Sequence, residues 1–208
     1  MEIKDRIKHK ADDLFRRYGI RNITMDEIAG QMGISKKTIY LYYADKDELV
    51  DEVITDMLQF NQLRCDSDRE IAVNAIHEIF LAMEMIKEMF ENMNPSILYD
   101  LEKNHPNTFA RFLEHKNKYL LQILKDNIER GIKQKLYRPE VNADIVARIR
   151  LETMFLPFNQ EIFPKNKFRL AEVERHLIEY YLFGIASLKG YELILKYQKE
   201  QEKKAHSK

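Results

Sequence analysis

The sequence predicts an all-α protein in which an N-terminal three-helix unit precedes a larger helical body. Three observations support this fold class. Apolar residues recur at helical spacing along most of the 208 residues. Helix caps and Gly or Pro stops separate the apolar segments. Hydrophobic residues at 45% and charged residues at 33% suit a helical globular protein with a sizeable core.

Residues 24 to 49 predict a helix-turn-helix followed by the start of a further helix. Thr24, with a Glu three residues later, forms a capping box that opens the first helix. Gly33 can adopt the left-handed conformation that ends a helix and turns the chain. Ser35 is a good N-cap for the second helix, and Asp45 caps the helix that follows. These signals define two short helices that cross closely.

The second helix of this pair carries a polar face that is rich in hydrogen-bond donors. A helix-turn-helix inserts the N-terminal half of its second helix into the major groove of DNA. Lys, Ser, Thr and Tyr side chains can donate there to phosphates or base edges. The alternative is a generic helical hairpin with solvated lysines, which the combination of turn, caps and basic face disfavours. The expected DNA-contacting residues are Ser35, Lys36, Lys37, Thr38, Tyr40, Tyr42 and Lys46.

Short motifs in the first quarter of the chain add to this interpretation. They are Tyr18-Gly19, Ile23-Thr24-Met25, Gly33-Ile34-Ser35, Thr38-Ile39-Tyr40 and Lys46-Asp47-Glu48-Leu49. Together they resemble the DNA-binding region of TetR-type (TetR/AcrR) bacterial transcriptional regulators. The resemblance implies that Tyr40 and Lys46 contact the DNA backbone. It also implies phosphate or base contacts by Thr24, Ser35, Lys36, Lys37, Thr38 and Tyr42. Leu41 departs from the family pattern, in which a polar or basic residue is frequent.

The charge distribution predicts that one copy alone binds DNA weakly. The chain has 34 basic and 34 acidic residues, and residues 1 to 50 contain 10 Lys and Arg against 9 Asp and Glu. The basic patch at the second helix consists of Lys36, Lys37 and Lys46. Specific binding therefore favours a dimer, which doubles the contacts with DNA.

Composition also predicts the compartment. No apolar run approaches the roughly 18 residues that indicate a membrane span, so no membrane partner is expected. The first residues lack the apolar region of a signal peptide. A single cysteine, Cys65, cannot form an intramolecular disulfide, which fits a reducing environment. We therefore expect a cytoplasmic protein.

The body after residue 50 predicts a series of helices separated by caps and prolines. The first expected helices run from Asp45 to about 65–67, from about Asp68 to Phe90, and from Asn94 to His105. A long helix follows His105 and Pro106 and ends at a C-cap at Gly131. The last ones run from Asn142 or Asp144 to Phe158, over a segment that contains 176–187, and onward from Gly190. The family resemblance implies that the final long helices pair with those of a second subunit in a four-helix bundle. The residues allow this, although burial within one subunit is the alternative. The expected dimer residues are Ile145, Ile149, Leu177, Tyr180, Tyr181, Gly184 and Leu188.

A cluster of methionine and aromatic residues predicts a cavity for a small hydrophobic ligand. Methionine accommodates varied apolar ligands, and ligand pockets are mostly apolar, although ordinary core packing is the favoured explanation for any single one of these residues. The expected lining residues are Met83, Met89, Phe90, Phe112, Met154, Phe155 and Phe158. Glu84, Asn117, Tyr119 and Glu152 are candidate polar partners, among which the sequence does not discriminate.

Catalytic motifs are not apparent. The sequence has no Gly-rich phosphate loop or Gly-x-Ser-x-Gly elbow, and its single Glu-x-x-His, Glu102 with His105, falls short of the two that a di-iron bundle needs. We expect no enzyme, cofactor or metal. Residues 1–47 are the expected helix-turn-helix DNA-binding domain, and 48–208 the ligand-binding and dimerisation domain. The predicted function is a homodimeric repressor that a small molecule releases from a palindromic double-stranded operator; the alternative is a helical adaptor that binds another protein.

Overall fold

The computed structural model describes residues 2–206, which are predominantly α-helical. The helices are α1 (Ile3–Tyr18), α2 (Met25–Met32), α3 (Lys36–Tyr40), α4 (Lys46–Ile71), α5 (Ala75–Phe90), α6 (Ile97–Asn104), α7 (Pro106–His115), α8 (Leu121–Lys133), α9 (Ala143–Phe155), α10 (Leu170–Ile185) and α11 (Leu188–His206). A π-helical turn, Lys116–Leu120, joins α7 to α8, and a 3₁₀ turn, Leu156–Phe158, follows α9. The described residues contain one isolated β-bridge, between Tyr137 and Ala186. The all-α prediction is confirmed.

The caps predicted for the helix-turn-helix are present. The Thr24 hydroxyl accepts from the Glu27 N–H at 3.2 Å, and the Thr24 N–H donates to the Glu27 carboxylate at 2.6 Å. Gly33 ends α2 in the left-handed conformation, with φ of 66°. Ser35 Oγ accepts from the Thr38 N–H, and Asp45 Oδ1 accepts from the Glu48 N–H. These bonds satisfy free N–H groups at each helix start, so local sequence sets the geometry of the motif.

One hydrophobic core holds the three N-terminal helices on the start of α4. Ile7, Phe15, Ile28 and Ile39 from α1 to α3 are buried in it, and Leu49 of α4 is buried with them. Burying a side chain of this size contributes roughly 1.5–3 kcal/mol. The same core includes α6 residues, so the N-terminal unit packs against two helices of the body. The predicted domain boundary at 47/48 falls in the first turn of α4, and Met1, Ser207 and Lys208 lie outside the described residues.

The predicted end of α4 near residues 65–67 is wrong. The helix continues to Ile71, and α5 begins only after the Asn74 cap. Polar residues in this stretch favour a helix end in isolation. Here tertiary and helical contacts hold them: Asp66 accepts from the Tyr119 hydroxyl at 2.8 Å, and Asp68 lies 3.5 Å from Arg64 one turn earlier.

The predicted C-cap at Gly131 is also wrong, because this glycine lies inside α8. The helix continues to Lys133, and the left-handed residue that follows is Lys135, with φ of 58°. A Cβ at Gly131 would lie 2.0 Å from Cδ2 of the buried Tyr137 ring. Gly131 therefore serves close packing of α8 against the link to α9. The remaining helix predictions differ mainly at their ends; the one expected to reach Phe158 ends as α9 at Phe155.

The structure contains no helix, among residues 2–206, that is both long and apolar enough to cross a lipid bilayer.

We predict that Gly131→Ala lowers the free energy of unfolding by about 1–3 kcal/mol, the usual cost of overpacking. Gly30→Ala is the matched control, because it also lies within a helix but has no atom within 4 Å of the new Cβ. It is expected to stabilise the protein by about 0.5–1 kcal/mol through helix propensity. Chemical denaturation followed by circular dichroism measures both changes. Equal stability of the two variants would refute the packing role of Gly131.

Candidate DNA-contacting surface and ligand cavity

The predicted DNA-contacting residues gather around α3, where we call their outward side the recognition surface. Six of the eight are exposed, and Thr38 and Lys46 are half-buried. The exposed ones are Thr24, Ser35, Lys36, Lys37, Tyr40 and Tyr42. Their backbone is fixed by the buried Ile39 and the caps on either side of the turn. The surface therefore presents hydroxyl and ammonium donors from a rigid support.

The two lysines of α3 differ in their surroundings. Lys36 Nζ donates to Asp26 Oδ2 at 2.7 Å, and this hydrogen bond raises the pKa of Lys36. Lys37 is exposed and makes no hydrogen bond or ion pair within residues 2–206. Its ammonium is thus free to meet a phosphate or a base edge without first losing an intramolecular partner.

Lys46 occupies a more enclosed position than the sequence suggested. Its Nζ donates to the carbonyl oxygen of Ile20 at 2.6 Å, and it lies 5.9 Å from the centre of the Phe15 ring. Burial lowers the pKa of Lys46. An ammonium has three donors, so this bond leaves two for other acceptors. The phosphate contact of Lys46 stays a prediction.

Leu41 is the most exposed large apolar side chain of this surface, at 74% exposure. It takes the place of the polar residue that the resemblance favoured. An apolar side chain in the major groove can contact the methyl group of thymine. Leu41 itself has no side-chain donor for a phosphate, in agreement with its departure from the family pattern.

A cavity of about 170 Å³ lies inside the body, between α4, α5, α6, α7, α8, α9 and α10. Two edge-to-face aromatic pairs stand in its wall: Phe90 with Phe158, at 5.2 Å between ring centres, and Phe112 with Phe155, at 5.3 Å. The predicted lining residues that the structure brings together here are Met89, Phe90, Phe112, Met154, Phe155 and Phe158. Such a wall suits an apolar ligand.

Met83 does not line this cavity, which corrects one of the predicted lining residues. The cavity-facing stripe of α5 contains Ala82, Met85, Ile86 and Met89, and Met83 lies to one side of it. Met83 instead packs, half-buried, against the core of the body. Adjacent helical residues point about 100° apart, so a run of methionines cannot all face one cavity.

One part of the cavity wall is polar and buried. Arg150 forms a short ion pair with Glu174, and both residues are almost completely enclosed. Burial raises the pKa of Glu174 to about 7, and Arg150 opposes that rise. Asp68 and Glu78 also line the cavity, and burial raises the pKa of Glu78.

The polar partners suggested from sequence are not the ones that the structure provides. None of the four, Glu84, Asn117, Tyr119 and Glu152, lines the cavity. A usable signal was present nevertheless. Glu174 lies one helical turn from the buried Leu170 and Ile178, so a charge interrupts an apolar stripe. Such a position predicts a buried charge with a partner, although the partner itself depends on the fold.

The helix α6 connects the cavity to the N-terminal unit. Its Ile97 and Leu101 line the cavity, and its Asp100 accepts the backbone N–H of Arg21 at 3.0 Å. Just before α6, the Asn94 N–H donates to the Arg16 carbonyl at 2.6 Å. A change in the cavity that moves α6 therefore acts directly on the end of α1.

The predicted dimer residues fall into two groups. Four are exposed on α9, α10 and the start of α11, with Tyr180 at 79% and Leu188 at 78%: Ile145, Ile149, Tyr180 and Leu188. Gly184 is exposed beside them, and Leu177 is half-buried. Tyr181 differs, because its hydroxyl is fully enclosed and its ring lies 5.7 Å from the Arg150 guanidinium. Tyr181 is thus half-buried, with its hydroxyl end directed into the interior of the subunit.

Metal-binding side chains do not cluster in groups of three among residues 2–203, whose side chains the structure describes. The Glu102-x-x-His105 pair is divided by the fold: Glu102 is exposed, while His105 is buried with Nδ1 at 2.8 Å from Asp47.

Comparison with known proteins places this architecture among transcriptional regulators. A model for bacterial regulatory proteins of the tetR family matches residues 7–53. The chain is 23% identical over 170 residues to YvaF of Bacillus subtilis, an uncharacterized HTH-type transcriptional regulator, covering 80% of this chain and 87% of that protein. It is 25% identical over 146 residues to the HTH-type transcriptional repressor KstR2 of Mycobacterium tuberculosis, covering 69% and 73%.

Solved structures share the fold over nearly the whole chain. A TetR-family regulator from Agrobacterium tumefaciens matches with a TM-score of 0.74 at 16% identity, covering 88% of this chain and 97% of that one. The structure of the ketosteroid transcriptional regulator KstR2 of Mycobacterium tuberculosis matches with a TM-score of 0.63 at 21% identity, covering 89% and 96%. These relatives and neighbours are regulators, and the expectation of a non-enzyme is confirmed by them.

We predict a stability change with pH that depends on Glu174. Its pKa is about 7 in the folded protein against an ordinary value of 4.5, so the folded state holds about one proton more than the unfolded state between these values. Stability should therefore fall as the pH rises from about 4.5 to about 7, and this contribution should level off above. Glu174→Gln removes it.

Urea denaturation at several pH values measures the slope. Glu172→Gln, a change of an exposed residue on the same helix, is the control. If the Glu174→Gln protein keeps the slope of the unchanged protein, another group is responsible.

Proposed function

We propose that this chain is a dimeric repressor of the tetR family that a small ligand releases from its operator. One observation carries the proposal. The helix α4 anchors the recognition surface in the N-terminal core through Leu49, and its later residues Met57 and Cys65 line the cavity. DNA binding and ligand binding therefore act on the same helix.

The recognition surface supports DNA binding through α3. Its Lys37, Tyr40 and Tyr42 project from a helix held by buried Ile39. In a helix-turn-helix, such a second helix enters the major groove, where phosphate contacts fix register and base contacts give specificity. We propose that Lys37 contacts DNA directly and that Thr24 and Lys46 contact phosphates beside it.

An exposed apolar face supports a homodimer. Ile145, Ile149 and Tyr180 lie on α9 and α10 with more than half of each side chain exposed, and Leu188 continues the series. Because α9 packs against α10, these exposed side chains lie on adjoining helices, and exposed apolar faces often mark protein–protein contacts. Gly184 has no atom within 4 Å of an added Cβ, so a second helix can approach closely there. Two-fold pairing would give two recognition surfaces for a palindromic operator with half-sites about 34–36 Å apart.

Ligand control would pass from the cavity to the recognition surface through two helices. The cavity is lined by Ile97 and Leu101 of α6, and Asp100 of α6 bonds the N-terminal unit. A ligand shifts the protein between two arrangements only if it binds one of them more tightly. One relative, KstR2 of Mycobacterium tuberculosis, is named a transcriptional repressor, which supports repression here.

Selection of bound duplexes from a random pool tests the function directly. The expected result is an inverted repeat, whose two half-sites report the dimer and its spacing. Failure to retain any duplex at low salt would contradict the repressor and favour the adaptor alternative.

We predict that Lys37→Ala weakens binding to the selected duplex and lowers its salt dependence. Each lost phosphate contact reduces the slope of log K against log salt by about one unit per subunit. If Lys37 contacts a base instead, the slope stays unchanged and preference at one base position relaxes, at a cost of about 1–3 kcal/mol. Fluorescence anisotropy across a salt series separates the two outcomes.

The control for this prediction is Lys118→Ala. Lys118 is also exposed and carries the same charge, but it lies in the body and pairs with Glu114. An effect of Lys118→Ala as large as that of Lys37→Ala would show that only the net charge matters.

We further predict that Asp100→Ala weakens DNA binding without changing the salt slope. The variant removes the acceptor for the Arg21 N–H, so the N-terminal unit loses a bond that sets its orientation, while the groups that face DNA remain. An affinity loss of about three- to tenfold corresponds to about 0.6–1.4 kcal/mol, the usual value of one hydrogen bond.

The matched control is Glu102→Ala on the same helix, where Glu102 is exposed and its nearest cation is 4.0 Å away. Unchanged DNA affinity in the Asp100→Ala protein would mean that α6 does not orient the N-terminal unit.

A further inference from the structure

Two buried carboxylate oxygens in the cavity wall are without a hydrogen-bond donor. Asp68 is 6% exposed and Glu174 is 1% exposed, and both line the cavity. Asp68 Oδ2 and Glu174 Oε2 accept no hydrogen bond from any residue in the described part of the chain. Leaving a buried acceptor unpaired costs free energy, and more so when it is charged. These oxygens therefore favour a ligand that brings donors.

The charges that face the cavity are unequal. Three carboxylates line it, those of Asp68, Glu78 and Glu174, against the single guanidinium of Arg150 among the described lining residues. Arg64 and Arg130 pair with Asp68 and Glu78, but neither arginine lines the cavity, and both are partly exposed.

His115, another titratable group of the wall, does not offset this excess of negative charge. Burial lowers the pKa of His115, which keeps the ring neutral near neutral pH. The inner surface therefore carries more negative than positive charge.

The acidic groups lie on α4, α5 and α10, and α5 packs against both of the other helices. Asp68 and Glu78 both help to raise the pKa of Cys65, for which burial is the larger cause. Glu78 also raises the pKa of Tyr181, whose ring lies against Arg150, the partner of Glu174. The three carboxylates thus act on neighbouring groups.

The apolar part of the cavity extends away from these acids along α4. Ile54 lines it 14 residues before Asp68, which is about 21 Å along a helix axis. Between them Met57 and Leu58 face the same space. The cavity is therefore long, with an apolar end toward the N-terminal unit and an acidic end toward the end of α4.

An anionic head group does not fit the acidic end. Arg150 is already paired with Glu174, and its other terminal nitrogen approaches Thr153 Oγ1 at 3.5 Å. An anion near it would meet the carboxylates of Asp68 and Glu78 as well. A neutral hydroxyl could donate one hydrogen bond, whereas an ammonium donates three and carries the complementary charge.

We infer that the cavity binds an amphiphilic cation, whose apolar chain lies among the aromatic rings and whose ammonium group donates to Asp68 and Glu174. The inference assigns a chemical class to the ligand of the repressor proposed above, and to that extent rests on that proposal. Apolar contacts along Phe112 and Phe155 supply affinity, while the carboxylates supply the preference for a cation.

Four probes that share one ten-carbon chain test the inference. They are decylammonium, decyltrimethylammonium, decanol and decanoate, titrated into the full chain at pH 8 in an isothermal calorimeter, below the concentrations at which they form micelles. We expect decylammonium to bind about tenfold or more tightly than decanol and decanoate, as expected for a hydrogen bond to a charged group. Decyltrimethylammonium should fall between them, since it carries the charge but has no N–H donor.

Variants identify the groups responsible. Asp68→Asn should reduce decylammonium affinity about tenfold and leave decanol affinity unchanged. Glu174→Gln should act in the same way and provides a second measurement if one of the two variants fails to fold. Glu88→Gln is the matched control, because Glu88 also lies near Arg64 but is exposed and outside the cavity wall; it should change neither affinity.

The inference is overturned if decylammonium does not bind, if decanoate or decanol binds as tightly, or if the folded cavity variants keep the full preference. DNA release is measured separately, by anisotropy with the selected duplex. Release by decanoate alone would uphold ligand control but reject the cationic class. Selective decylammonium binding that leaves the DNA complex intact would uphold the cationic site and reject the proposed ligand-controlled repressor.

Discussion

The burial of the first turns of α4 in the N-terminal core is the contact on which the rest of the structure depends. Leu49, Val50 and Val53 are almost completely enclosed there with side chains from α1 to α3. Without this burial, the capped helices of the recognition surface would have too little core of their own, because α2 and α3 are only 8 and 5 residues long. Short helices are marginal in isolation and take their stability from packing.

A close contact between α1 and the segment before α6 makes the N-terminal unit sensitive to the body. Gly19 has a φ of 83°, and a Cβ there would lie 2.6 Å from Ser96 Oγ. The absence of a side chain thus lets the end of α1 approach Ser96 and Asp100 closely enough for backbone hydrogen bonds. At the C-terminal end of α6, His105 is buried against Asp47 at the start of α4. Contacts at both ends of α6, a cavity-lining helix, therefore tie it to the end of α1 and to the start of α4.

Local signals in the sequence predicted local structure well. The Thr24 capping box, the left-handed Gly33 and the Ser35 cap are determined within four residues of chain, so their prediction needed no knowledge of the fold. The errors arose where tertiary contacts decide. The extension of α4 through Asp66 depends on Tyr119, and the helical Gly131 depends on Tyr137. The acidic end of the cavity required knowing that α4, α5 and α10 meet. The Met and Phe residues predicted an apolar wall, but their spacing alone could not show that Met85 faces the cavity and Met83 does not.

The length of α4 gives the molecule mechanical leverage. Its 26 residues span about 39 Å at 1.5 Å per residue. A rigid rod of this length that tilts by about 5° at one end moves the other by about 3 Å, a large step compared with a hydrogen bond. Two subunits related by a two-fold axis would move in opposite directions and double the change in their separation. A displacement that is modest for the packed interior would then be enough to take two neighbouring grooves of a DNA duplex out of register.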